Sequence, residues 1–213
     1  MNREILFPTP VYFKMVREPK KLNKYLFPLI KAWSKKDKSE TKTNSGGGWH
    51  SPTNMNHKKE YQPLIEELFG MQYEIYKDFG MQPKPGLGNM WANINYPGAY
   101  NKQHVHPNSV WSGVYYVRVP KNSGRLFVED PRPGGNLILP RRVEGLPRAL
   151  WRVVGYPAIE GQMIMFPAWL THGVQQNESK ERGEKGWRVS VSFNFIQVGE
   201  DDKEDVFKAV KAK

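Results

Sequence analysis

Residues 96–119 read YPGAYNKQHVHPNSVWSGVYYVRV, and the way this stretch changes character decides the fold. A Tyr-Pro-Gly turn and a polar run lead into His104-Val105-His106, and the run Val110–Val119 that follows is rich in aromatic and β-branched residues. Such composition favours a pleated, half-buried strand. Side chains two apart share one face of a strand, so His104 and His106 point the same way and can converge on one ion at a strand end.

Outward from this stretch, short β-rich runs recur at Leu87–Asn95, Leu126–Val128, Trp151–Tyr156, Met163–Phe166 and Trp187–Val198, separated by Pro/Gly turns. The opening ILFPTPVYF reads as an edge strand, because its prolines cannot donate to a ladder on both sides. With a short strand near Val174, the count reaches about eight, the signature of a sandwich or barrel. Helical spacing occurs twice, both times upstream. Leu22, Tyr25, Leu26, Leu29, Ile30 and Trp33 form one stripe, which Pro28 is expected to kink or divide. Tyr61–Phe79 forms the other, with Pro63 in its first turn and Gly80 just past its end. The Ser/Thr/Asn/Gly-rich segment 39–60 between them reads as a loop, with His50 and His57 at its surface. We expect one domain over 1–213, with the first strand and supporting helices in 1–85, the β core in 86–199 and a charged tail in 200–213.

Composition narrows the chemistry. The 213 residues contain no cysteine, which removes disulfides, thiolate nucleophiles and cysteine-ligated metals. Any metal must be held by the five histidines and the carboxylates. No apolar run is long enough for a membrane span, so a soluble, cytoplasmic protein is expected. The net charge of +11 is concentrated upstream: residues 1–60 hold 13 Lys/Arg against 5 acids, and the remainder 19 against 16. The upstream lysines flank the first helical stripe. Solvation of a polar face is their ordinary reading, and a phosphate-binding surface the alternative.

A third histidine, His172, closes MIMFPAWLTHGV, again where an apolar strand gives way to a turn. Alone it would be a hydrogen-bonded barrel histidine. Together with the close pair it gives the spacing of a facial triad, which occupies one face of an octahedral iron(II) and leaves positions open.

The order Tyr-Pro-Gly, His-x-His, a strand carrying paired tyrosines, a distant His-Gly-Val and an arginine on the last core strand resembles the prolyl-hydroxylase-like branch of the 2-oxoglutarate- and iron(II)-dependent oxygenases. The likeness runs through LFPTPVY, GGGWHSP, HVHPNSVWSGVYYV, FVEDPR, FPAWLTHGV and RVSVSFNF, nearly the whole chain. It implies a mainly β protein with a double-stranded β-helix (jelly-roll, cupin-like) core and N-terminal helices packed on the larger sheet. It also implies Fe(II) and 2-oxoglutarate as cofactor and cosubstrate, and dioxygen as co-reactant. Position by position, His104 and His172 match the two metal histidines, while His106 stands where the wider superfamily has Asp or Glu. Glu129 or Asp130 of FVEDPR is the alternative source of a carboxylate, and a third imidazole would let nickel, copper or zinc compete for the site.

The distal carboxylate of 2-oxoglutarate calls for a planar arginine fork. The resemblance assigns that role to Arg188, assisted by Ser190, with Tyr96 and Tyr116 bonding the same cosubstrate. Arg182 lies nearer His172 in sequence but in a loop. Arg188, Ser190, Ser192 and Asn194 alternate onto one face of their strand, which could equally be a solvent face. Trp91, Asn93 and Asn95 share a face of theirs. The implied activity is hydroxylation of a peptidyl, amino-acid or small-metabolite substrate, with release of succinate and CO2. Two alternatives remain: a three-histidine cupin-type dioxygenase that does not use 2-oxoglutarate, and a noncatalytic basic module binding nucleic acid. A homo-oligomer through the N-terminal edge strand is also compatible with the sequence.

Overall fold

In a computed structural model, residues 4, 6–37, 46–81, 85–132, 145 and 147–198 are described. The expected tail at 200–213 lies outside them. Among the described residues ten strands form two antiparallel sheets, and two α-helices precede the main β region. The strands are β1 (Tyr12–Met15), β2 (Gly48–His50), β3 (Pro85–Asn95), β4 (Asn101–His104), β5 (Trp111–Arg118), β6 (Arg125–Glu129), β7 (Val153–Pro157), β8 (Gln162–Pro167), β9 (His172–Val174) and β10 (Arg188–Gln197). The larger sheet has the order β1-β8-β5-β10-β3-β2 and the smaller β4-β9-β6-β7. This is the mainly β architecture expected, with β1 at an edge; it begins at Tyr12, after Pro8 and Pro10, so neither proline enters the ladder.

Strand alternation divides the larger sheet into two chemically distinct faces. Met90, Ala92 and Ile94 of β3, Trp111, Tyr115 and Val117 of β5 and Val189, Val191, Phe193 and Phe195 of β10 belong to one buried apolar cluster. That cluster includes Leu26 and Ile30 of α1 (Pro19–Lys36) and Leu64, Leu68 and Ile75 of α2 (Gln62–Asp78). Both helices therefore cover the outer face. Burying each such side chain contributes about 1.5–3 kcal/mol. The alternate residues look inward, between the sheets, where Leu126, Val128, Ile164, Phe166 and Leu170 form a smaller apolar cluster. Gly113 sits opposite Phe193 in the β5–β10 ladder and yields its side-chain space to the Phe193 ring: a Cβ there would stand 2.4 Å from Cζ.

The first helix corrects an expectation. α1 runs unbroken through Pro28 rather than being divided by it. Leu26 and Ile30, both fully buried on either side of the proline, tie the two halves to the same core. Packing outweighs the roughly 3 kcal/mol propensity penalty.

The polar segment after α1 also holds more structure than a loop. β2 pairs with β3 at the far edge of the larger sheet, with His50 opposite Asn93. Trp49 anchors it: its indole donates 2.9 Å to Asp37 Oδ2 at the end of α1, and its ring meets Trp33 edge-on at 5.7 Å. With Trp49 turned toward the helix, the adjacent His50 faces the space between the sheets.

Candidate active site

Between the sheets lies a cavity of about 470 Å³. Its walls come from the inward residues of β3 (Asn89, Trp91, Asn93, Asn95), β10 (Arg188, Ser190, Ser192, Asn194), β5 (Val114, Tyr116) and the smaller sheet's β4 and β9. Among the described residues no carboxylate lines it.

At one end the three imidazoles meet. His104 and His172 are direct partners across β4 and β9, with ring centroids 4.3 Å apart. His106 lies just beyond β4, held by its backbone N–H to Ala168 O at 3.0 Å, with its ring 4.9 Å from His104 and 5.1 Å from His172. One potential ligand atom from each lies within 4.8 Å of the others. Trp91 and Phe166 flank the cluster, with ring centroids 5.8 Å from His106 and 4.5 Å from His172.

The electronics suit a metal. Nδ1 of His104 lies 2.7 Å from Lys102 O, and Nδ1 of His172 lies 2.8 Å from Leu170 O. A carbonyl can only accept, so both rings carry their proton on Nδ1 and keep a bare Nε2. Burial, with repulsion from His104, lowers the His106 pKa to about 4, and the same causes lower His172 to about 3. Both rings are therefore neutral near pH 7, the form that binds metals. Three convergent imidazoles fit an iron(II) ion.

Arg188 opens β10 deeper in the cavity and is 1% exposed. Its Nη1 donates to the carbonyls of Ser123 and Gln175. Nη2 is buried without a hydrogen-bond partner, and no ion pair to Arg188 exists among the described residues. Desolvation lowers its pKa to about 10, which leaves it cationic at neutral pH, with the Tyr116 hydroxyl near enough to oppose the shift. Burial raises Tyr116 to about 12. A buried guanidinium without an anion is a costly feature unless a ligand supplies the charge. Carboxylate is the natural complement.

The remaining expected site residues divide. Ser190 lines the cavity two residues along β10 from Arg188. Tyr96 does not line it: past the end of β3, alternation turns its ring away from the side that Asn95 faces, and it packs on Trp187 at 5.2 Å. Glu129 is held by Gln103 and Arg152, Asp130 by both arms of Arg132, and neither joins the imidazole cluster. Arg182 is exposed, and so is His57. His50 is not a surface residue. It is 8% exposed, lines the cavity and stacks on Trp91 at 5.5 Å and 23°. The signal for it was present in Trp49-His50, where a large apolar residue next to a polar one marks a strand with two unlike faces.

The comparisons agree with this geometry. Residues 89–194, about half of the chain, match the family described as "Putative 2OG-Fe(II) oxygenase". No curated protein matches in sequence. Among solved structures, a prolyl-4-hydroxylase from Pseudomonas putida is similar with a TM-score of 0.61 at 13% identity, over 90% of this chain and 94% of that one. The epimerase SnoN, in complex with Fe3+, alpha ketoglutarate and nogalamycin RO, gives 0.61 at 12% identity, over 89% and 80%. HygX from Streptomyces hygroscopicus, with nickel, 2-oxoglutarate and hygromycin B bound, gives 0.60 at 8% identity, over 90% and 84%. These structures share the fold, and with it the double-stranded β-helix expected from the sequence. Among the described residues no helix is long and apolar enough to cross a membrane. The three gathered imidazoles, the buried guanidinium and the sequence match together make this chain a member of the 2-oxoglutarate- and iron(II)-dependent oxygenase family.

Proposed function

We propose that the chain hydroxylates an uncharged or anionic substrate, with iron(II) held by His104, His106 and His172 and 2-oxoglutarate anchored by Arg188. The observation that carries this reading is the pairing of an acid-free, three-imidazole cluster with a buried guanidinium whose Nη2 has no partner, in one cavity. When bound, iron(II) and 2-oxoglutarate supply the oxidising chemistry, consuming dioxygen and yielding succinate, CO2 and the oxygenated product.

The protein's own contribution is positional and electrostatic. Nε2 of His104 and His172 is aimed by the Nδ1–H bonds to Lys102 and Leu170 carbonyls, so these two rings need little reorganisation on metal uptake. Arg188, rigidly held through Nη1, presents Nη2 to a distal carboxylate, and Ser190 and Tyr116 offer hydroxyls on the same wall. Leu126 and Val174, paired across β6 and β9 next to Gln175, keep that end apolar, which strengthens the charge pairing. The β2–β3 side of that wall, with Trp91 and His50 stacked, is left for the substrate. Among the described residues no carboxylate lines that side, which disfavours a cationic substrate there. A cytoplasmic location belongs to the same proposal.

The test is anaerobic addition of iron(II) and then 2-oxoglutarate to the full chain. A visible charge-transfer band that requires both, and a stoichiometry of one each, is the expected result. A band or turnover independent of 2-oxoglutarate would favour the cupin-type alternative instead, and salt-sensitive nucleic-acid affinity without metal the binding module. Part of the basic surface is already engaged: Lys14, Lys21 and Lys31 pair with Glu74, Glu18 and Glu184, and Lys58 lies over Trp33.

A further inference from the structure

His106 differs from its two neighbours in what holds its second nitrogen. Where His104 and His172 give Nδ1–H to backbone carbonyls, Nδ1 of His106 lies 3.4 Å from the carboxamide nitrogen of Asn194. Its Nε2 lies 3.2 Å from Nε2 of His172. The latter nitrogen is bare, because the His172 proton is on Nδ1, so the contact is a hydrogen bond only if His106 carries its proton on Nε2. The metal-free arrangement is therefore self-consistent: Asn194 donates to Nδ1, and Nε2–H donates to His172. In that tautomer His106 has no lone pair to offer at the cluster. A carboxylate in this place would need no such adjustment.

Asn194 is built to serve either tautomer. It is 3% exposed, its Oδ1 accepts from Ser112 Oγ at 2.6 Å, and its Nδ2 donates to Asn89 Oδ1 at 2.7 Å. Turned through 180°, the same carboxamide would place Oδ1 toward His106 and Asn89, and Nδ2 toward Ser112. A serine hydroxyl both donates and accepts, and the Asn89 amide can turn likewise, so each partner remains satisfied. The switch moves one proton between the ring nitrogens of His106 and changes no net charge.

We propose that Asn194 is a positioning residue that sets the tautomer of His106: its carboxamide turns as metal enters, accepts Nδ1–H and frees Nε2 to ligate. This rests on the three-histidine reading of the site. Backing groups of this kind change metal affinity by about 10–100-fold.

The probe is zinc, with histidine nitrogen NMR of the full chain as the readout. Without metal, His106 is expected to be protonated on Nε2, and on zinc loading all three rings on Nδ1. Asn194→Leu should weaken zinc binding at least about tenfold. Asn194→Asp, an acceptor only, should retain affinity within about threefold and show His106 already protonated on Nδ1 before zinc is added. Thermal unfolding reports whether each variant is folded, and the Asp variant supplies the tautomer result independently of the Leu variant. If zinc binds the unsubstituted chain tightly and Asn194→Leu matches it, or if His106 is protonated on Nδ1 throughout, this proposal is overturned while the metal site stands. If zinc does not bind the unsubstituted chain, both are overturned.

Discussion

His104 and His172 occupy directly opposed positions in the β4–β9 ladder, so backbone pairing itself sets their rings 4.3 Å apart. The meeting of these two imidazoles is thus a property of strand register. A one-residue slip would send one ring to the other face.

Replacing either histidine should abolish tight metal binding. In His104→Ala and His172→Ala, iron(II) affinity measured anaerobically is expected to fall by more than the about 100-fold that marks the upper range for supporting groups. A circular dichroism spectrum like that of the unsubstituted chain would show that the sheets persist. Unchanged affinity would remove the residue from the ligand set.

Arg188→Met is expected to spare iron(II) binding and weaken 2-oxoglutarate. Losing one side of a buried charge pair costs about 2–5 kcal/mol, so the Kd for 2-oxoglutarate should rise about 30-fold or more. Arg188→Lys should recover only part of this, because an ammonium cannot form the planar two-point contact. Calorimetry with iron(II) present distinguishes these outcomes, and equal affinity in all three proteins would exclude the guanidinium from the cosubstrate site.

The same arginine should weigh on stability with the cavity empty. With Nη2 unpartnered and no ion pair to Arg188 among the described residues, Arg188→Met is expected to unfold at an equal or higher temperature without ligand. Addition of 2-oxoglutarate at about 100 times its Kd should stabilise the unsubstituted chain by about 2.7 kcal/mol, and the same concentration should stabilise the variant, with its Kd raised about 30-fold or more, by about 0.9 kcal/mol or less. Thermal melts with and without the diacid provide the comparison.

Gly113→Ala probes the other face of the sheet. The added methyl would stand 2.4 Å from the Phe193 ring and 2.7 Å from the Ile164 carbonyl, and the latter cannot move without disturbing the ladder. Overpacking of this kind costs about 1–3 kcal/mol, to be read from the urea midpoint at constant m-value.

Much of this was legible in the sequence, for identifiable reasons. His104, His106 and His172 stand at strand ends flanked by apolar runs, and strand periodicity carried Arg188 and Ser190 onto one face. What periodicity could not say is which face is inside, since a polar wall of a cavity and a solvent-facing wall look alike in one dimension. His50 was hidden by this ambiguity: its polar surroundings read as loop, and only the Trp49–Asp37 bond and pairing with β3 carry it inward. Tyr96 was assigned by the resemblance at Tyr-Pro-Gly, which says nothing of facing, and among the described residues it is Asn95 that takes the inward position at the end of β3. The ligand-facing role of Asn194 depends on contacts across three strands, which local pattern does not encode.

Beside Arg188, Tyr116, Trp91 and His50, the larger sheet's inner wall carries one patch made only of amides and hydroxyls: Asn89, Asn93, Asn95, Ser190, Ser192 and Asn194. Such groups neither gain nor lose protons in water's ordinary range. Acidity can therefore rise or fall around the molecule without redrawing the pattern of donors and acceptors on that surface. Whatever compound docks there meets the same chemical template in a mildly acidic milieu as in an alkaline one, and selectivity among candidates is decided by shape and hydrogen-bond direction.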